Sequence, residues 1–141
     1  MKRKWRIVIL ILWSIGILFP FYFVRKFSYL YKQGFDWAFK SNVIHILMHI
    51  FLYAILAWLI SLVFSDERKQ ISPIKVILIV LGVSVLQEMI QLVSIKCPVG
   101  WDDIFDIFVD ISGGLIGVFL FRLKKRRHLN TRITKPGKNQ L

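Results

Sequence analysis

The sequence predicts an all-α membrane protein with four transmembrane helices and both termini cytoplasmic. Three observations predict it. Of 141 residues, 56% are hydrophobic and the mean hydropathy is +0.60, more than an ordinary soluble domain carries. Four apolar stretches each approach the 17 to 25 residues that cross about 30 Å of hydrocarbon. The 20 Lys and Arg residues fall between and beyond those stretches, where positive charge orients a chain.

The first span is predicted over residues 5–24, after the basic start "KRKWR". That start resembles a secretory signal, but the run is long and no small-residue cleavage site follows it, so it reads as a retained helix. Pro20 lacks a backbone donor and should kink or end the helix. The next stretch, "RKFSYLYKQGFDWAFK", mixes aromatic and basic residues and reads as a short amphipathic element lying in the interface. The remaining spans are predicted over residues 42–64, 74–95 and 104–121. The tail from Arg122, "RLKKRRHLNTRITKPGKNQL", reads as a contact for anionic lipid followed by a disordered end. Three regions result: residues 1–41 with the first helix and outer loop, a three-helix core over 42–121, and a basic cytoplasmic tail over 122–141 that is expected to be disordered.

Orientation follows from where the cations lie. Lys2, Arg3, Lys4 and Arg6 precede the first span, Arg68, Lys69 and Lys75 flank the second loop, and the tail adds eight more. The opposite side holds only Arg25, Lys26, Lys32, Lys40 and Lys96. The richer side should be cytoplasmic. A net charge of +12 would also suit nucleic acid, but no zinc spacing or RNP-like signature accompanies it. The expected partners are therefore membrane lipids, with anionic lipid at the tail and no nucleic acid. Cys97 is the single cysteine, which excludes an intrachain disulfide and a multi-cysteine metal site.

Helical periodicity turns scattered polar residues into faces. In "WDDIFDIFVDISGGLIG", Asp103, Asp106, Asp110, Gly113 and Gly117 fall within an arc of about 80°. An aspartate at the centre of a membrane helix costs about 2.5 to 3.5 kcal/mol, so this stripe should face protein or water. On the third helix Ser84, Glu88, Gln91 and Ile95 share one side; on the second, Asn42, His45, His49 and Tyr53 do. Counted from the outer ends, His49, Glu88 and Asp110 all lie about 9 to 11 Å deep. The pattern predicts one outward-opening polar pocket, with His45, His49, Tyr53, Glu88, Gln91, Asp103, Asp106 and Asp110 as its candidate residues.

Simpler roles compete for several of these residues. Gly113 and Gly117 form a G-x-x-x-G step of the kind that lets helices approach. Asp102 and Asp103 suit a cap on the fourth helix, where acids favour the N-terminus. His45 and His49 have the i, i+4 spacing of metal ligands, yet hydrogen-bonded histidines are the simpler reading. No cofactor and no metal is expected, with His45, His49 and Glu88 as the alternative metal set.

Glu88 and Gln91 three apart, then Asp103, Asp106, Asp110, Gly113 and Gly117 on the next helix, together with His49 and Tyr53 as H-x-x-x-Y, resemble the VanZ-like family of small bacterial membrane proteins. The resemblance covers residues 42–121. Two positions depart from the family pattern: Gly100 stands where an arginine is common, and His45 and Ile46 stand where an Asp-Lys pair is frequent. The resemblance implies a bacterial plasma-membrane, multi-pass protein of the cell envelope, related to one tied to low-level resistance to the glycopeptide teicoplanin.

Three functions fit the residues. One is a non-enzymatic envelope factor whose pocket takes a lipid-linked or lipoglycopeptide ligand beside aromatic residues such as Trp37 and Trp101. A second is an intramembrane enzyme using clustered carboxylates for acid and base work, or a metal; no nucleophile motif or H-E-x-x-H accompanies it. The third is proton-coupled transport, for which four helices without an internal repeat offer an incomplete path.

Overall fold

The computed structural model describes residues 3–19, 42–65, 70–95 and 100–133, all-helical apart from short connections. Its helices are α1 (Arg3–Leu18), α2 (Asn42–Phe64), α3 (Pro73–Ile95) and α4 (Trp101–Ile133). Three are long and apolar enough to cross a membrane: α2, α3 over Pro73–Ser94, and α4 over Trp101–Arg127.

The first helix departs from the four-span expectation. It has 16 residues, about 24 Å at 1.5 Å each, and Arg3, Lys4 and Arg6 occupy its start. It ends at Leu18, two residues before Pro20, whose ring disfavours helical backbone in the residue preceding it. The length and the cations together keep α1 out of the spanning set. Residues 20–24 of the predicted first span, the amphipathic outer loop with Trp37, and Cys97 lie outside the described residues.

The fourth helix departs in the other direction. Its backbone runs to Ile133, twelve residues past Phe121, so the first part of the tail is helical where the sequence suggested disorder. Leu, Lys and Arg are good helix formers, and neither Gly nor Pro occurs between Gly117 and Pro136. Residues 134–141 lie outside the described set.

Packing is inverted relative to a soluble domain. Leu47, Phe51, Leu78, Met89, Phe105, Phe108 and Phe119 are exposed, whereas His49, Ser61, Ser84, Glu88 and Asp110 are buried. In hydrocarbon that is the favourable arrangement, since lipid solvates apolar side chains and protein must satisfy polar ones. The chain is a multi-pass membrane protein. Its serines follow the same rule: Ser14, Ser61, Ser94 and Ser112 each donate to the carbonyl four residues back, a bond that keeps a hydroxyl satisfied within its own helix.

Each helix has a local reason to sit where it does. Ser72 precedes Pro73, the first residue of α3, and its carbonyl accepts from Val76 N at 3.3 Å; proline at that position loses only a donor the helix end would orphan. Helix α1 lies antiparallel to α2, with Arg6 Nη1 donating to the Leu62 carbonyl at 3.4 Å and Trp13 Nε1 to the Leu52 carbonyl at 3.1 Å. Tyr53, Leu56, Ala57, Ile60, Val76, Val80 and Val118, with Ile17 of α1, form the core.

The tightest packing is between α2 and α4, and glycine permits it. A Cβ on Gly113 would come within 2.5 Å of the Ile50 carbonyl oxygen, and one on Gly117 would overlap the Ala54 carbonyl oxygen. Gly114 faces the other way, toward the Val80 side chain. One end of the bundle is basic: Arg6 meets the end of α2, and Lys124 Nζ lies 5.2 Å from the Trp58 ring, which meets Phe121 edge-on at 5.8 Å. The acids of α4 lie at the opposite end.

Candidate functional site

At the acidic end, α2 presents His45, His49 and Tyr53 at successive turns, the i, i+4 spacing that stacks side chains on one face. The imidazoles of His45 and His49 meet edge-on with centroids 4.5 Å apart. His49 and Tyr53 are near-parallel, at 6.4 Å.

Helix α4 answers this row with carboxylates. His49 Nδ1 lies 2.8 Å from Asp110 Oδ1, and Ser84 Oγ of α3 donates to Asp110 Oδ2 at 2.6 Å. Asp110 therefore ties three helices together while having no exposed surface. Both of its oxygens are engaged, which is how a buried carboxylate avoids the cost of desolvation. With Nδ1 bonded to Asp110, the proton-bearing nitrogen of His49 is fixed and Nε2 is left to face elsewhere. One turn shallower, His45 Nδ1 lies 3.9 Å from Asp106 Oδ1, and both residues are partly exposed.

Helix α3 contributes two more groups. Tyr53 donates its hydroxyl to Gln87 Oε1 at 2.7 Å. Glu88 is only 4% exposed, yet among the described residues neither of its carboxylate oxygens has a hydrogen-bond partner. It lies within electrostatic reach of Asp106, His49, Asp103 and Asp110. A buried carboxylate without donors is rare in a folded protein and calls for a ligand, ion or water.

The sequence-predicted candidates thus divide. His45, His49, Tyr53, Glu88, Asp106 and Asp110 gather toward the acidic end of the bundle, over about two turns of α2. Gln91 is exposed, and Gln87, one turn away on the same stripe, meets Tyr53 in its place. Asp103 turns back to its own helix, its Oδ2 accepting from Gly100 N at 2.6 Å, the return half of a capping box. Ser84 and Gln87 were outside the candidate set. Ser84 was visible on the right face of α3, but a lone serine on a membrane helix more often bonds its own backbone.

For a cation, the donor atoms of His45, His49 and Asp106 lie within 4.8 Å of one another. The carboxylate grouped with the two histidines is that of Asp106, in place of the Glu88 of the sequence-based alternative. No cysteine takes part, so the donors are imidazole and carboxylate, the set that suits borderline and hard divalent ions.

A family model described as VanZ/LLP1 matches residues 5–125, taking in α1 as well as the three long helices. No curated protein and no solved structure matches. With the match extending over nearly the whole chain, across the helices that carry the polar cluster, the chain belongs to the VanZ/LLP1 family.

Proposed function

We propose that this protein is a non-enzymatic factor of the bacterial cell envelope, in which the polar cluster of α2, α3 and α4 binds the polar part of a lipid-linked or lipopeptide ligand. The observation that carries the reading is Glu88, buried with both oxygens lacking donors among the described residues. An amine or hydroxyl of a ligand would supply them, while the surrounding lipid takes its acyl tail. The apolar rim of Phe105, Phe108 and Met89, all exposed, suits such a tail.

The orientation belongs to the same reading. Arg6 and Lys124 mark one end of the bundle, and the positive-inside rule makes that end cytoplasmic in the plasma membrane. The cluster then opens to the outer leaflet, where envelope precursors and lipoglycopeptides are met. By family resemblance, the phenotype is a contribution to teicoplanin resistance.

The test is teicoplanin susceptibility of cells expressing Glu88→Gln, Asp106→Asn or Asp110→Asn at wild-type membrane levels. Each variant should move susceptibility toward that of cells lacking the protein. Resistance unchanged in all three would overturn the reading.

A further inference from the structure

We infer that His45, His49 and Asp106 form a binding site for a first-row divalent cation, with Zn²⁺ as its best probe, and that Asp110 holds His49 in the ligating orientation. The inference does not depend on the glycopeptide reading.

Three observations support it. The three donor atoms already lie within 4.8 Å of one another. Around zinc, with bonds of about 2.0 to 2.2 Å, tetrahedral donors stand about 3.4 Å apart, so closing the site takes a contraction of about 1.4 Å at its widest. His45 and Asp106 are the partly exposed members, near helix ends, and side-chain rotation there supplies that movement. Tyr53 and Asp110, deeper in the core, stay where they are.

The second observation is the outer support. His49 Nδ1 is bonded to Asp110 at 2.8 Å, and Asp110 is bonded in turn by Ser84 at 2.6 Å. A carboxylate behind a histidine fixes its tautomer and raises the basicity of the other nitrogen, an arrangement typical of ligating histidines. His49 therefore offers Nε2, and the proton needed for the Asp110 bond stays on Nδ1.

The third observation is charge. Glu88 is a buried carboxylate with both oxygens lacking donors among the described residues, within electrostatic reach of His49 and Asp106. A cluster of Asp106, Asp110 and Glu88 with no cation bonded to Glu88 among the described residues is costly in a low dielectric; a divalent ion at the His45, His49 and Asp106 donors offsets it. With three protein donors, the fourth position is left for water or a ligand atom.

The experiment uses the full-length protein, purified in detergent, stripped with a chelator and equilibrated with Zn²⁺ or Co²⁺, with no glycopeptide present. Elemental analysis should find about one Zn²⁺ per chain, and Co²⁺ should give the visible absorption of a four-coordinate site. His45→Asn, His49→Gln and Asp106→Asn should each weaken binding by about a hundredfold or more, and Asp110→Asn by about ten- to a hundredfold through loss of support. His128→Gln, on the far part of α4, should bind as wild type does. Helical circular dichroism of each variant separates a lost ligand from a lost fold, and the half-exposed His45 leaves a readable variant if His49→Gln fails to fold. A wild-type protein that retains no Zn²⁺ at micromolar free metal, or a His45→Asn, Asp106→Asn double variant that retains it fully, would overturn the inference.

Discussion

His49 and Asp110 stand 61 positions apart in the chain, and their side chains meet at 2.8 Å in a buried contact between α2 and α4. Ser84 completes the contact from α3, so one carboxylate registers three helices against one another. Interhelical hydrogen bonds in membranes average about 0.6 kcal/mol and reach about 1.7 kcal/mol. A double-mutant cycle with His49→Ala and Asp110→Ala, read by unfolding in mixed micelles, should give a coupling at the upper end, about 1 to 2 kcal/mol. A coupling near zero would show that the pair contributes no registration.

The glycines of α4 predict a contrast between positions of like chemistry. Alanine at Gly117 or Gly113 meets the α2 backbone, whereas at Gly82 a Cβ meets nothing within 4 Å. Gly117→Ala should destabilise the fold by about 1 to 3 kcal/mol, since main chain cannot rotate away. Gly82→Ala should be neutral or stabilising by up to about 1 kcal/mol. Gly114→Ala should fall between, because its nearest neighbour is the movable side chain of Val80, at 3.0 Å. Thermal transitions of the three variants in one detergent decide the order.

Asp103 should behave as a structural residue. Removing its bond to Gly100 N by Asp103→Ala should cost about 1 kcal/mol of helix stability, seen as faster amide exchange over the first turn of α4. Zn²⁺ binding by that variant should stay within about twofold of wild type. A larger loss would make Asp103 part of the site.

Helix α1 is held to α2 by Trp13 Nε1 on the Leu52 carbonyl, at 3.1 Å. Trp13→Phe keeps an aromatic side chain but removes the donor and part of the indole's packing volume, costing about 1 to 3 kcal/mol. Hydrogen exchange should rise across α1 and stay unchanged in α3. An equal rise in both would mean that α1 does not dock as a separate unit.

The charged end makes a prediction about direction. A C-terminal phosphatase fusion, active only outside the cytoplasm, should be silent. Replacing Arg122, Lys124, Lys125, Arg126 and Arg127 with Gln should raise its activity by removing the bias proposed to hold this end inside, at about 1 kcal/mol per cation. An active fusion on the unaltered chain would reverse the orientation.

Much of this architecture is legible in the sequence because lipid imposes few rules. Residues 42–64 form one apolar run, interrupted only by Asn42, His45, His49 and Ser61, and match α2 end to end. The other boundaries move for identifiable reasons. Hydropathy stops at Arg122, but helix propensity does not, and α4 continues; hydropathy continues past Leu18, but Pro20 and the short length leave α1 outside the spanning set. Periodicity of 3.6 residues puts Glu88, His49 and Asp110 on inward faces. It does not resolve Gln87 from Gln91, which lie four apart on the same stripe. Only the relative depth of α2 and α3 decides which of them Tyr53 reaches, and depth is a property of packing. Asp103 shares the stripe of Asp106 and Asp110 by angle, yet its position in the first turn offers it a nearer partner, the backbone of Gly100.

The approach of Gly113 and Gly117 to α2 has a consequence for the acids above them. Where two helices touch through main chain, their spacing is set by van der Waals contact between rigid backbones and does not relax with rotamer changes. Gly113 lies three residues from Asp110, so this fixed spacing acts as the gauge block against which the His49 and Asp110 separation is set. A methyl group added at the glycines would then be read at the histidines, as a site whose residues are all present and whose distances are wrong.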